Sequence, residues 1–569
     1  MRRGIAVAIA GVVAAAGGAS DAQSPVPAAR TIERHSLYVS VRDGTRLAVN
    51  VYRRAGDPGP VPTIFAFTPY RARYLKDGAV AQTFDQAIFG FPALVQQGYA
   101  VVIADVRGKG ASFGARRGFL DRTEANDGYD LVGWIARQPW SNGKVGLTGC
   151  SYLGGTTMLI AGTRPPAVRA VFTAATDLDK YSFVRNGGVT AQFNTRPDEP
   201  LEVDAASVPV DADRDGSLLK QAVAQHARNT PMAALWAGMP YRDSVSPLTG
   251  TRFWEEVGPY THLKALRDPR IAWYFWSNWE DEPTEQMILA ARNIPGKLIL
   301  GPGSHCEGPA QFDIAAEQRR FFDRHLKGID NGLDREPRYA WWREEGTGGA
   351  MVRANRLPGV GIRRTPLFLA ADTGASLQAP RVAATRRFQV RYDLGAGEYF
   401  PFWPRPLTGF GPSWTTPPLA APARLQGYPI ARIRTAIDRR DAILFAYVED
   451  VAPDGKVRVI AHGRLAASHR MISTPPYDKL DLPYHSGLRA DVAPMTPGMP
   501  AELAFSLSPR AYTFAAGHRI RVTLTGADPR QRDLKVLATD PAPEFTVLTG
   551  GAAGSRIDLP FEATPTFQR

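Results

Sequence analysis

The segment Val145-Gly146-Leu147-Thr148-Gly149-Cys150-Ser151-Tyr152-Leu153-Gly154-Gly155 decides how this chain is read. Residues 145–148 have the composition of a buried strand, and the run after Ser151 opens a helix, so Ser151 falls on a tight strand-to-helix turn. A serine there is exposed at the C-terminal edge of a sheet, with the free N–H groups of a helix N-terminus beside it, as a nucleophile requires. Gly149 lets the backbone bend without a clash. The spacing departs from G-x-S-x-G, because Leu153 holds the last position and glycine follows one residue later. Taken alone, a serine in a glycine-rich turn also reads as a plain helix cap.

Outward from this turn, strands alternate with amphipathic helices. Residues 63–67, 100–105, 145–148 and 170–174 read as strands, and 127–135 reads as a helix ended by a turn at 138–143. That is an α/β layer on a largely parallel sheet, assigned to 32–178. The pattern breaks over 179–262, where an acidic, proline-punctuated loop (198–215) and helical pieces such as 217–227 predict an inserted helical cap. It resumes over 263–362, with strands at 271–276 and 297–300 flanking a helix near 285–291. Beyond Arg356-Leu357-Pro358-Gly359 the texture is all-β: apolar residues alternate over 501–507 and 519–524, and Pro453-Asp454-Gly455 is a hairpin signal. A C-terminal jelly-roll sandwich is predicted for 363–569.

A serine nucleophile on such a sheet needs an acid and then a histidine on loops after later strands. Asp281 follows 271–276 in Trp279-Glu280-Asp281, with Glu280 and Glu282 as competing carboxylates and a helix cap as the plain alternative. His305 follows 297–300 in Gly301-Pro302-Gly303-Ser304-His305 and alone among the nine histidines sits in a Gly/Pro/Ser turn straight after a buried-type strand.

Taken with Thr68-Pro69-Tyr70, the run Asp105-Val106-Arg107-Gly108-Lys109-Gly110-Ala111-Ser112-Phe113-Gly114, Trp134-Ile135 and Gln138-Pro139-Trp140, these motifs identify a resemblance. The chain resembles the α/β-hydrolases that include Xaa-Pro dipeptidyl-peptidases, cocaine esterase, α-amino-acid ester hydrolases and glutaryl-cephalosporin acylases. The displaced glycine after Ser151 is that family's own pattern. The resemblance implies a helical cap within an α/β-hydrolase core, a C-terminal jelly roll, and an oxyanion held by a tyrosine hydroxyl and by the N–H after the serine, which map to Tyr70 and Tyr152. Gly303 stands where members often carry tryptophan, so the pocket wall is expected to differ. The acidic cluster that amino-ester hydrolases use for an α-ammonium is reduced here to Glu282 in Glu282-Pro283-Thr284.

The resulting expectation is a serine hydrolase that cleaves small ester or amide substrates, short peptides included, through an acyl-enzyme. A proline-directed dipeptidyl-peptidase is the alternative within the enzyme class, and a glycan-binding jelly roll is the alternative outside it. No cofactor is expected. Gly108-Lys109-Gly110 departs from a dinucleotide fingerprint at Phe113, and no H-E-x-x-H or Cys/His cluster supports a metal. Asp211-Ala212-Asp213-Arg214-Asp215-Gly216 begins like a calcium loop but has Ala222 at its twelfth position, which favours a solvated, helix-capping loop.

Arg2-Arg3, an apolar Ala-rich run at 4–16 and Ser20-Asp21-Ala22 read as a signal peptide, residues 1–22, cleaved near Ala22. The run is too short to span a membrane, so a periplasmic or secreted protein without an integral membrane segment is expected. Cys150 and Cys306 adjoin the proposed nucleophile and base, and export would permit a disulfide between them. The plain alternative packs Cys150 under the turn and leaves Cys306 an unrelated thiol. The 569 residues carry 68 Lys+Arg against 55 Asp+Glu, a net +13, but the arginines are scattered rather than gathered in a stripe. Nucleic-acid binding is therefore not expected.

Overall fold

The computed structural model describes residues 30–57, 59–190, 198–395, 402–531, 538–551 and 554–568; the expected signal segment lies outside them. The main sheet is built from β1 (Ile32–Ser40), β2 (Arg46–Arg54), β3 (Val61–Thr68), β4 (Ala100–Asp105), β5 (Ser141–Cys150), β6 (Val168–Ala174), β7 (Ala272–Asn278), β8 (Lys297–Gly301) and β9 (Tyr339–Glu345). Their spatial order is β1-β2-β4-β3-β5-β6-β7-β8-β9. β1 and β2 are antiparallel to their neighbours, and every pairing from β4 to β9 is parallel. This is the α/β-hydrolase order, with crossovers placing helices on both faces.

β5 lies between β3 and β6, and its last six residues, 145–150, are buried. It starts earlier than its apolar core predicts. Val61 donates to the Trp140 carbonyl at 2.9 Å and pairs with Ser141, so the expected turn at 138–143 ends at the strand's first residue. Helix α1 (Arg122–Ala136) likewise begins before 127, because Asp121 caps it by accepting from Glu124 N–H at 3.0 Å. Helix α2 (Tyr152–Gly162), directly after Ser151, is buried over residues 152–161. An apolar surface all round suits a helix sealed between sheet and neighbours.

Between β6 and β7 the chain makes short helices, among them α3 (Ser217–His226). The acidic loop before α3 spends its carboxylates on protein donors. Asp211 pairs with Arg34 at 2.7 Å and accepts from Ser36 N–H, while Asp213 accepts from Leu218 and Leu219 N–H at 3.0 and 2.8 Å. Among the described residues no helix is long and apolar enough to cross a membrane.

The C-terminal part is largely β-sheet. A seven-stranded and a four-stranded sheet share one apolar core that includes Leu367, Ile433, Val448, Ile460, Val522 and Phe545. Ile443–Val451 and Val457–Ala466 form the hairpin closed by Pro453-Asp454-Gly455. Two further strands contribute to this core but hydrogen-bond into the main sheet. Arg510–Phe514 pairs parallel with β9 through Glu344↔Tyr512 and Glu345↔Thr513, and Ala423–Gly427 adds outside it, so the main sheet runs on into the C-terminal part.

The first turn of α2 has no room for a side chain at Gly154, where a Cβ would overlap the Ala174 carbonyl oxygen of β6. Gly154→Ala is expected to destabilise the fold by about 1–3 kcal/mol. Thermal unfolding checks this, and an unchanged midpoint would contradict the packing described.

Candidate active site

Ser151 occupies φ 63°, ψ −125°, a conformation unfavourable for a residue with a Cβ. The turn is fixed from both sides: Ser151 N–H donates to the Ala174 carbonyl at 3.0 Å and Gly155 N–H to the Ser151 carbonyl at 3.0 Å. A Cβ on Gly149 would collide with the Leu153 backbone. The Tyr152 N–H opens α2, where helical N–H groups have no intrahelical acceptor. The Tyr152 side chain is turned away from this task. Its hydroxyl donates to Glu124 at 2.5 Å and accepts from Arg116 at 2.6 Å and from Leu120 N–H at 3.3 Å. Burial pushes the Glu124 carboxyl up to about 8 against the pull of Arg116.

Tyr70 follows β3, with its N–H on Thr68 Oγ1 at 3.0 Å and its hydroxyl 3.5 Å from Ser151 Oγ. The next turn is held by Asp105 at the end of β4, which accepts from Ala72 N–H at 2.6 Å and Ala111 N–H at 2.9 Å. Asp105 is buried, and loss of hydration pushes its carboxyl up to about 7 despite these donors.

Asp281 follows β7 and is 1% exposed. Both its oxygens face His305 Nδ1, at 2.9 and 3.0 Å. Burial raises its carboxyl above the ordinary value, and the imidazole draws it back. The two competing carboxylates are committed elsewhere: Glu280 to Arg458 at 2.7 Å and Arg510 at 2.9 Å, Glu282 to Arg464 at 2.8 Å. The acid and histidine loops are laced together. Trp279 and Glu280 N–H donate to the Gly301 and Gly303 carbonyls at 2.9 and 3.0 Å, and Asn278 Nδ2 donates to the Ser304 and Glu307 carbonyls, both at 2.7 Å. A disulfide joins Cys150 to Cys306 across 156 positions of sequence, with Cα atoms 6.0 Å apart, and so ties the Ser151 turn to the His305 loop. Phe402 stacks on the His305 ring with centroids 4.1 Å apart.

Ser151, Tyr70, Tyr152, His305 and the disulfide all line one cavity of about 790 Å³. Its other walls come from the chain between β3 and α1, from the segment between β6 and β7 and from Phe402. Phe89, Phe119, Phe183 and Met232 make it largely apolar, and its charged groups include ion pairs, Lys109 with Glu199 and Asp204 at 3.0 and 3.1 Å and Lys180 with Asp177 at 2.5 Å. The residues singled out from sequence thus converge on this cavity, with Asp281 reaching it through His305. Sequence reasoning did not find Asn278, Phe402 or the arginines behind the acid. An asparagine closing a strand beside the acid was a usable signal, whereas nothing local marks the others. Among the described residues no group of three or more His, Cys, Asp or Glu is placed to hold a metal ion.

Residues 43–307 match the X-Pro dipeptidyl-peptidase (S15) family, and residues 331–535 match the X-Pro dipeptidyl-peptidase C-terminal non-catalytic domain. A Mycobacterium bovis protein provisionally named a serine esterase is 29% identical, over 95% of this chain and 97% of its own. The cocaine esterase of a Rhodococcus strain is 25% identical over 87% of this chain and 90% of its own. Among solved structures, a CocE/NonD family hydrolase from Staphylococcus aureus superposes with a TM-score of 0.73 at 19% identity, covering 93% of each chain. An α-amino acid ester hydrolase gives a TM-score of 0.69 at 18% identity, covering 95% and 98%. The last two likenesses carry the fold.

The raised Asp105 carboxyl has a consequence for stability. Between the ordinary value of 3.8 and about 7 the unfolded chain gives up this proton while the folded chain keeps it, so stability falls as pH rises through that window. Asp105→Asn is expected to flatten the pH dependence of the thermal midpoint between these values. An unchanged slope would contradict the assignment.

Proposed function

Because this chain belongs to the α/β-hydrolase family of Xaa-Pro dipeptidyl-peptidases, cocaine esterase and α-amino-acid ester hydrolases and is a hydrolase, we propose that it cleaves carboxylic esters or amides through Ser151, His305 and Asp281. The observation that carries this reading is the buried Asp281 gripping Nδ1 of His305, which lines the same cavity as Ser151.

In this reading His305 Nε2 takes the proton of Ser151 as Oγ bonds to the substrate carbonyl carbon. Asp281 holds the tautomer that presents Nε2 as the base and stabilises the imidazolium. The tetrahedral oxyanion is received by the Tyr70 hydroxyl and the Tyr152 N–H. Collapse breaks the bond to the alcohol or amine, which leaves with the proton from His305. The same imidazole then deprotonates water to hydrolyse the acyl-enzyme and restore the Ser151 hydroxyl.

The apolar cavity favours esters and amides with apolar substituents. Commitment of Glu282 to Arg464 argues against its receiving a substrate α-ammonium, which a dipeptidyl-peptidase or amino-ester hydrolase would need. Export with removal of residues 1–22 belongs to the proposal, supported by the Arg2-Arg3 start, the apolar run after it, and a disulfide of the kind that persists in oxidising compartments. N-terminal sequencing of the mature protein tests export, and an intact residue 1 in the released protein would overturn it.

A panel of p-nitrophenyl esters, aminoacyl esters, Xaa-Pro anilides and glutaryl amides tests the substrate class, with the p-nitrophenyl esters of apolar acids expected to be turned over fastest. Ser151→Ala, His305→Ala and Asp281→Asn are each expected to lower kcat by about four orders of magnitude in folded protein. Near-normal turnover in Ser151→Ala would remove the proposal. Tyr70→Phe is expected to cost about two to three orders in kcat with KM little changed, since its hydroxyl meets charge that develops in the transition state. A change in KM alone would reassign Tyr70 to substrate binding.

A further inference from the structure

Resting on that reading of the site, we infer that the C-terminal β domain acts in the reaction as an arginine clamp on the loop that carries the acid. Three consecutive carboxylates follow β7. The middle one, Asp281, faces His305, and the two beside it face the other way, into the C-terminal domain. Arg458 and Arg510 both reach Glu280 Oε1, at 2.7 and 2.9 Å. Arg464 reaches Glu282 Oε1 at 2.8 Å, and Arg530 stands 3.8 Å from the same atom.

The clamp is itself anchored. Glu344 of β9 pairs with Arg458 at 3.0 Å and with Arg510 at 2.5 Å, so the first arginine pair bridges the acid loop and the main sheet. Arg510 is fully buried and opens the strand that pairs with β9, lying beneath Trp403 with its guanidinium 5.2 Å from the ring centroid. Arg530 is held by Asp528 at 2.9 Å, and Asp528 accepts from the Tyr447 hydroxyl at 2.6 Å. Glu280 is thus held by arginines that are themselves anchored, and Glu282 by Arg464 of the strand Val457–Ala466 with the anchored Arg530 guanidinium beside it.

Stability alone is a poor reason for this arrangement. Desolvation offsets most of the attraction in a buried ion pair, and apolar residues of similar volume commonly serve a core as well or better. What ion pairs on both sides of one residue do supply is direction. With Glu280 and Glu282 fixed, the peptide between them has little freedom to rotate, and the Asp281 carboxylate keeps both oxygens on His305 Nδ1. Misplacement of a reacting group by about 1 Å costs on the order of a hundredfold in rate, so such fixing has measurable weight. The four arginines are positioning residues, since none touches the substrate or Ser151. Their domain, of a type described as non-catalytic, thereby becomes part of what sets kcat.

Arg458→Met, Arg464→Met and the double variant test this in the full-length protein. Arg458 is 41% exposed in its side chain, so its replacement threatens the fold least. The expected result is a kcat lower by about tenfold in each single variant and by about a hundredfold in the double variant, with KM within about twofold. Arg458→Lys, which restores a cation opposite Glu280, is expected to recover most of the loss. Arg521→Met provides the control: Arg521 pairs with buried Glu449 at 2.6 Å in the same domain, away from the acid loop, and its loss should lower the thermal midpoint but leave kcat near wild type. Unchanged kcat in the double variant, beside an impaired Asp281→Asn, would overturn the clamp alone. So would an equal fall of kcat in Arg521→Met. Wild-type turnover in Asp281→Asn would remove the reading of the site and the clamp with it.

Discussion

The backbone of Ser151, held at φ 63° and ψ −125°, is the constraint on which the rest of this structure depends. A serine does not rest there unaided, and the surroundings over-determine it. Buried β5 delivers the chain to the sheet edge, buried α2 carries it away, and the Ala174 carbonyl receives the Ser151 N–H between them. Gly149 and Gly154 stand where a Cβ would strike the Leu153 backbone and the Ala174 carbonyl. The chemical result is a hydroxyl that lines the cavity, with a helix-opening N–H next to it and the Tyr70 hydroxyl 3.5 Å away.

Around that turn the fold brings in its other groups by parallel strands ending on one edge. The loops after β7 and β8 are bonded to each other through Asn278, Trp279 and Glu280, and the Cys150–Cys306 bridge fastens the second of them to the Ser151 turn. The Ser151 turn and the His305 loop are therefore joined by a covalent link and by backbone hydrogen bonds as well as by side-chain packing. The C-terminal sandwich is continuous with this arrangement, since Arg510–Phe514 extends the main sheet beyond β9 and sends Arg510 to the acid loop.

Much of this was legible in the sequence, for identifiable reasons. Buried strands such as β4 and β8 are short apolar runs bounded by turn residues, and the serine, acid and histidine follow such runs directly, so local pattern locates them. What escaped is non-local. The pairing of Arg510–Phe514 with β9 rests on two residue pairs and leaves no periodic trace. Sequence singled out Asp281 but left Glu280 and Glu282 as competitors, because the arginines that engage those two lie about 180 to 230 positions downstream. Phe402 on His305 is likewise a meeting of distant segments. The early start of β5 at Ser141 was masked by Asn142 and Gly143, turn-forming residues that a partner strand overrode.

The central claim is that Ser151 is the nucleophile, and covalent labelling with a fluorophosphonate followed by peptide mapping tests it most directly. Attack of the serine oxygen on phosphorus displaces fluoride and leaves a stable phosphonyl ester, so the label marks an activated serine whatever the natural substrate. The account predicts one adduct per chain, on Ser151, formed as ester hydrolysis is lost and absent from Ser151→Ala. An adduct on another serine, or persistent hydrolysis in fully labelled protein, would contradict it.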